Sequence, residues 1–264
     1  MIRSRAVPRA LVALALLVVS TLAQVARADE LDPAPARTAG ITAGALVLWG
    51  GSELAMGSLA PASCRWCEPP GIDRSVRDAL RWSNPGAAST ASDLLVLALP
   101  LALSGADLAL AGGDARRAAE DILVAAEAAA LAGLATQLVK FTVGRRRPDA
   151  PLTGLRSGPD DDLSFPSNHA SVAFAVAGAF GTVARLRGYP GWPIVYATGF
   201  TAAAAVGWLR MAGDKHWLTD VAAGAALGAA CGVLVPLLLH RRAESPAPGA
   251  TRLSLVPLGV AGTF

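Results

Sequence analysis

The sequence predicts an all-α protein, a bundle of helices suited to a membrane, and three observations carry that reading. Five segments, at about 92–112, 117–140, 168–186, 193–210 and 217–239, stay apolar over the length needed to cross a hydrocarbon core. Neither the alternation of a half-buried sheet nor an internal repeat is present. Hydrophobic residues make up 53% of the 264 and charged residues only 16%, against about 25% in soluble domains. The net charge of +3 and the lack of a basic stripe interleaved with aromatics argue against nucleic acid as a partner.

Taken in order, residues 1–28 place Arg3, Arg5 and Arg9 before an apolar run from Ala10 to Val19 and end on Ala26 and Ala28, the pattern of a cleaved secretory signal. An uncleaved anchor is the alternative. Residues 29–90 are expected to form an N-terminal periplasmic region. Within it, Thr38 to Ala60 is apolar but rich in glycine and carries Glu53, so it is expected to be helical without crossing the membrane. Cys64 and Cys67 are spaced to close a small disulfide in an oxidising compartment; zinc is disfavoured because no second ligand pair exists. Asp73 to Trp82 reads as a short amphipathic helix capped by Asp73, with Ile72, Val76 and Leu80 on one side, lying on the membrane surface or packed on the bundle.

Residues 91–242 then hold the five apolar helices, rich in Ala and Gly as close contact in lipid requires. Asp107, Glu127 and Gln137 must face protein, and Cys231 is core packing. Tyr189, Trp192, Trp208 and Trp217 fall where interfacial anchors would sit. Residues 243–264 form a tail with little signal. If the cationic loops Arg116–Arg117, Arg185 to Arg187 and His240 to Arg242 are cytoplasmic, the other end of the bundle faces the periplasm of a bacterial inner membrane. A cleaved signal followed by a crossing at 38–60 would reverse that orientation, so those two readings exclude the outward one.

Three blocks at the outward end carry the chemistry: Lys140-x6-Arg147-Pro148, Pro166-Ser167-Asn168-His169 and Arg210-x5-His216-x3-Asp220. His216 and Asp220 are four apart, which puts both on one face of a helix starting near Lys215. A carboxylate on one imidazole nitrogen fixes the tautomer and leaves the other nitrogen free to attack. Ser167 stands at the N-cap position of the following helix, whose first amides point at any anion there. His169, in the first turn, is suited to protonate a leaving oxygen. Lys140, Arg147 and Arg210 are fixed cations of the kind that neutralise a moving phosphoryl group. Arg145 and Arg146 read instead as a basic run meeting anionic lipid, and Asp160 to Asp162 as a solvated loop.

K-x6-R-P, P-S-x-H and R-x5-H-x3-D, in that order, resemble the three-part signature of the type 2 phosphatidic acid phosphatase (PAP2) and vanadium haloperoxidase superfamily. The second block departs from the usual P-S-G-H in having Asn168, and the third has Leu209 where serine is usual. The resemblance implies a helical bundle of the PAP2 type and a phosphatase needing no metal and no cofactor. It implies that His216 forms a phosphohistidine, that Asp220 orients it and that His169 is the general acid. Lys140, Arg147, Ser167, Asn168 and Arg210 would bind the phosphate. The expected partners are a membrane and a lipid phosphate or diphosphate, with undecaprenyl diphosphate, phosphatidate and phosphatidylglycerophosphate as candidates. A soluble periplasmic acid phosphatase, a vanadate-dependent haloperoxidase and an inactive membrane scaffold are the competing readings.

Overall fold

The computed structural model describes residues 31–150 and 158–242, with two short strands in the tail, Arg252–Val256 and Gly259–Thr263, paired antiparallel with Val256 opposite Gly259. The expected signal segment 1–28 lies outside the described residues. The fold is all-α: α1 Pro35–Leu54, α2 Met56–Leu59, α3 Gly71–Leu80, α4 Pro85–Leu110, α5 Ala115–Val143, a 3-10 turn Pro159–Asp162, α6 Asn168–Leu186, α7 Trp192–Ala212 and α8 Leu218–Leu239. Five of these, α4 to α8, are long and apolar enough to cross a membrane. This is a membrane protein.

Local chemistry sets the ends. α4 begins seven residues before the expected segment because Asn84 accepts the Ala87 N–H and Pro85 supplies a preset first turn. Asp114 caps α5 by accepting from Arg117 N, and Gly144 closes it at φ 60°, a conformation that favours glycine. α6 matches the expected 168–186. α8 starts at Leu218, so His216 precedes the helix rather than riding on it.

The tightest seam joins α6 to α8. A methyl group at Gly224, Gly228 or Gly232 would lie 2.4, 2.0 or 2.4 Å from the carbonyl oxygens of Ser167, Ser171 and Ala175. The constant offset means the two helices run parallel, backbone against backbone, which only small residues permit. Gly207 and Gly199 make similar room on α7 for Val221 and Ala177. The buried core lies where α4, α5 and α7 close on α6, with Leu99, Leu103, Ala128, Phe180 and Val206 at its centre.

All three polar residues expected to face protein do so: Asp107, Glu127 and Gln137 are buried. His240, expected in a cationic loop, is instead fully buried, with Nε2 against Glu127 and Nδ1 at the Asp32 carbonyl. That contact pins the chain before α1 to the end of α8, and Asp32 N donates to the His240 carbonyl. From there α1 runs alongside α5, Trp49 filling the space left by Gly133. Leu31 and Gly144 therefore mark opposite ends of the bundle, whereas residues 38–60 were expected to be helical without crossing the membrane. The reason is packing rather than hydropathy: Thr38 and Thr42 are buried with their hydroxyls bonded to backbone carbonyls, so the polar face of α1 is satisfied internally.

Three further expectations are corrected. Asp73 is no cap: Pro70 holds that position and Asp73 is fully buried in the first turn of α3, while Ile72 is 57% exposed. Tyr189 and Trp217 are buried rather than interfacial, whereas Trp192 and Trp208 stay partly exposed. Arg145 is 1% exposed and Arg146 pairs with the buried Asp162, so neither lies free to meet lipid.

The seam gives a direct test. Gly228→Val should destabilise the protein by about 2–3 kcal/mol through overpacking, read as a lowered thermal midpoint in detergent. Gly44→Ala, where a methyl group meets nothing within 4 Å, should leave the midpoint unchanged; equal behaviour of the two variants would contradict the close seam.

Candidate active site

The N-termini of α6 and α8 converge at one end of the bundle, together with the C-termini of α5 and α7. These four termini deliver the three blocks of the sequence signature: Lys140 and Arg147 from the end of α5, Ser167 to His169 from the start of α6, and Arg210 to Asp220 across the turn from α7 to α8. The positive ends of two helix dipoles point into the same space. Backbone bonding locks the junction, with Ser167 N donating to the Asp220 carbonyl at 3.0 Å.

His216 is buried. Arg147 Nη1 lies 3.3 Å from its Nε2 and also donates to the Lys215 carbonyl at 3.0 Å. A guanidinium only donates, so this contact presents an Nε2 lone pair and puts the ring proton on Nδ1. Nδ1 faces Asp220 Oδ2 at 3.6 Å, beyond the expected hydrogen bond. Burial drives the His216 pKa well below its ordinary value, and the charges of Arg147, Arg210, Lys140 and His169 push the same way. The imidazole is thus held neutral, with its free nitrogen toward the cations.

The Asp220 carboxylate is fully committed. Oδ1 accepts from Arg145 Nη1 at 2.5 Å, and Oδ2 accepts from Ser164 Oγ at 2.5 Å and Trp217 N at 2.8 Å. Behind it, Arg145 Nη2 donates to the buried Asp73, and Asp73 also takes the Thr219 N–H and hydroxyl.

His169 Nε2 lies 2.8 Å from Asp93 Oδ1, and Arg210 Nη1 donates to the same oxygen at 3.0 Å. Arg210 also reaches Ser89. Arg147 is tied to the carboxylate and the carbonyl of Asp160, so that loop is not simply solvated. Lys140 is buried and makes no side-chain hydrogen bond or ion pair among the described residues. Ser167 occupies the N-cap position, but its hydroxyl does not cap: Ser167 Oγ, Asn168 Oδ1 and Arg210 Nε are buried without a protein partner. The eight residues singled out by sequence are therefore gathered at one end of the bundle. Sequence reasoning missed Asp93, Asp73, Arg145 and Ser164; for Asp93 the signal was an acid at the mouth of an apolar segment, and for Arg145 its place directly beside Arg147.

A cavity of about 460 Å³ opens beside this cluster. Leu46 and Trp49 of α1, Val96 and Leu97 of α4 and Val172 of α6 line it, together with His169 and Asn168 of the cluster. Leu46, Leu97 and Ile122 on its rim are exposed to the surroundings of the bundle.

The PAP2 superfamily model matches residues 121–244. Lipid A 1-phosphatase of Porphyromonas gingivalis is 33% identical over 105 residues, 40% of this chain and 21% of that protein. Decaprenylphosphoryl-5-phosphoribose phosphatase of Mycobacterium tuberculosis is 36% identical over 107 residues, 40% of this chain and 55% of that protein. The chain thus matches about a fifth and about half of the lengths of these relatives. The crystal structure of a transmembrane PAP2 type phosphatidylglycerolphosphate phosphatase from Bacillus subtilis aligns with a TM-score of 0.42 and 19% identity, over 75% of this chain and 93% of that one. The match to the PAP2 superfamily model, over residues 121–244, takes in all three motif blocks.

Proposed function

We propose that the protein is a lipid phosphate phosphatase working through a phosphohistidine and needing no metal ion. The observation that carries the lipid substrate is the apolar cavity, which runs from the exposed rim at Leu46 and Leu97 to His169. An apolar chain lying there puts its phosphate at the inner end, among Lys140, Arg147 and Arg210. His216 Nε2 attacks phosphorus as the bond to the ester oxygen breaks, and His169 gives that oxygen its proton. Water then attacks phosphorus, His169 takes the proton, the phosphorus–nitrogen bond breaks and inorganic phosphate leaves. Asp220, bonded to Arg145, Ser164 and Trp217, faces the Nδ1 proton and stabilises the charge that develops on the ring. Ser167 and Asn168 border the phosphate, and the three cations take the role a metal has in other phosphatases. The curated relatives are named for phosphate removal from lipid A and from a decaprenylphosphoryl sugar, which supports a lipid-linked substrate.

Phosphate release should persist in EDTA and fall with vanadate; loss on chelation that zinc or magnesium restores would sink the metal-free mechanism. Ala129→Phe, which fills the cavity, should raise KM for a long-chain phosphate by about tenfold, ~1.4 kcal/mol, and leave nitrophenyl phosphate unaffected. His169→Ala should lose most of its rate on the lipid ester and recover much of it on nitrophenyl phosphate, whose leaving group needs no proton.

We place the site on the periplasmic face of a bacterial inner membrane. The Cys64–Cys67 disulfide at the site end suits an oxidising compartment. Arg37, Arg116, Arg117, Arg185, Arg187, Arg241 and Arg242 cluster at the opposite end, as cytoplasmic loops prefer. Because α1 carries the chain from one end to the other, this orientation requires Leu31 to lie on the cytoplasmic side, and it cannot coexist with a signal cleaved near residue 28. In a Cys231→Ser background, Asp78→Cys should react with an impermeant maleimide on intact cells and Arg116→Cys only after permeabilisation. The reverse pattern would overturn the orientation.

A further inference from the structure

The Cys64–Cys67 disulfide has no part in phosphoryl transfer, yet it is joined to the site by an unbroken chain of contacts. It closes the turn Cys64-Arg65-Trp66-Cys67. That turn is laid against the segment leaving α5: Arg65 N and Trp66 N donate to the Gly144 carbonyl at 2.8 and 3.3 Å, and Arg146 N donates to the Trp66 carbonyl at 3.2 Å. The pairing places the Trp66 ring over the Arg145 guanidinium, 3.8 Å from centroid to Cζ, with Phe165 packed on the indole.

Beneath the ring, Arg145 is held from two sides. Nη1 reaches Asp220 Oδ1 and Thr219 Oγ1, and Nη2 reaches Asp73 Oδ2. A buried cation between two buried carboxylates is stable only while every partner is in place and water is kept out. Trp66 provides the water-excluding face and attracts the cation to its ring. A displacement of Trp66 therefore moves Arg145, and with it the Asp220 carboxylate that faces His216.

We propose that the disulfide-closed turn is a positioning device for the nucleophile pair: it clamps Trp66 onto Arg145, which fixes Asp220 at His216, so reduction of Cys64–Cys67 slows attack by His216. Trp66, Arg145 and Asp73 act through Asp220 and touch no substrate. The disulfide is open to reagent, since Cys67 is exposed and Cys64 half-buried. The inference rests on His216 being the nucleophile.

The test uses the full-length protein in detergent, oxidised or treated with a water-soluble phosphine, with nitrophenyl phosphate as substrate. Reduction should lower kcat about tenfold, ~1.4 kcal/mol, with KM and helical circular dichroism unchanged, and reoxidation should restore it. The good leaving group does not rescue this loss, because the defect lies with the nucleophile and not the acid. Cys231→Ser should remain sensitive to phosphine, whereas Cys64→Ser/Cys67→Ser should start at the reduced rate and ignore the reagent. Trp66→Phe should keep most of the rate that Trp66→Ala loses. Full kcat with both thiols shown to be free would overturn the proposal, as would a loss of rate accompanied by loss of helicity. An oxidised protein that releases no phosphate would instead refute the phosphatase reading.

Discussion

The parallel, glycine-lined contact between α6 and α8 is the constraint on which the site depends. In lipid there is little hydrophobic gain from pressing two helices together, so the contact must come from close packing of backbones. Gly224, Gly228 and Gly232 allow it by leaving the carbonyls of Ser167, Ser171 and Ala175 nothing to clash with. Because the helices are parallel, both present their N-termini at the same level. Ser167 to His169 and His216 to Asp220 then meet without any long loop to order, and the Ser167–Asp220 backbone bond records the register. A larger side chain anywhere along this seam would separate the two histidines before it touched either of them.

Around that seam the charges fall into two classes. Asp73 and Asp220 are fully buried and hold Arg145 permanently, a pairing whose rupture would strand a charge in a low-dielectric interior. Asp93 and Asp160 are half-exposed at the mouth and hold Arg210 and Arg147. The second class neutralises the cations from the solvent side, where ion pairs are worth little. In the proposed mechanism a phosphate dianion entering the site would compete with the weak pairs and leave the strong one untouched. Lys140, with no side-chain partner among the described residues, faces no such competition. On that proposal the same division would separate residues that meet the anion from those that hold the nucleophile in place.

Much of this was legible in the sequence. The five apolar segments and the three motif blocks were readable because hydropathy and short-range spacing are local properties, and α6 fell on its expected residues. What escaped detection depends on long-range contacts. Arg145 sits beside Arg147 and looks like one more basic residue; only the fold turns its side chain inward, to Asp73 seventy-two positions earlier and Asp220 seventy-five later. Asp73 resembled a cap because an acid opening a short helix usually is one, and its burial is set by α8. Residues 38–60 read as apolar but too rich in glycine, with Glu53 among them, to cross; that α1 packs along α5 with its threonines satisfied on backbone carbonyls is not revealed by composition. His216 was expected on a helix with Asp220, whereas the helix begins two residues later and Asp220 spends its carboxylate on Trp217 N, Ser164 and Arg145.

The central claim is that this geometry makes His216 Nε2 the attacking atom. Rapid quench of the protein with labelled phosphate ester, followed by peptide mapping, tests it most directly. The account predicts an acid-labile, base-stable phosphoramidate on the peptide containing His216, formed fast enough to account for turnover and absent from His216→Ala. Label on any other residue, or a normal amount of phosphoenzyme in His216→Ala, would contradict it.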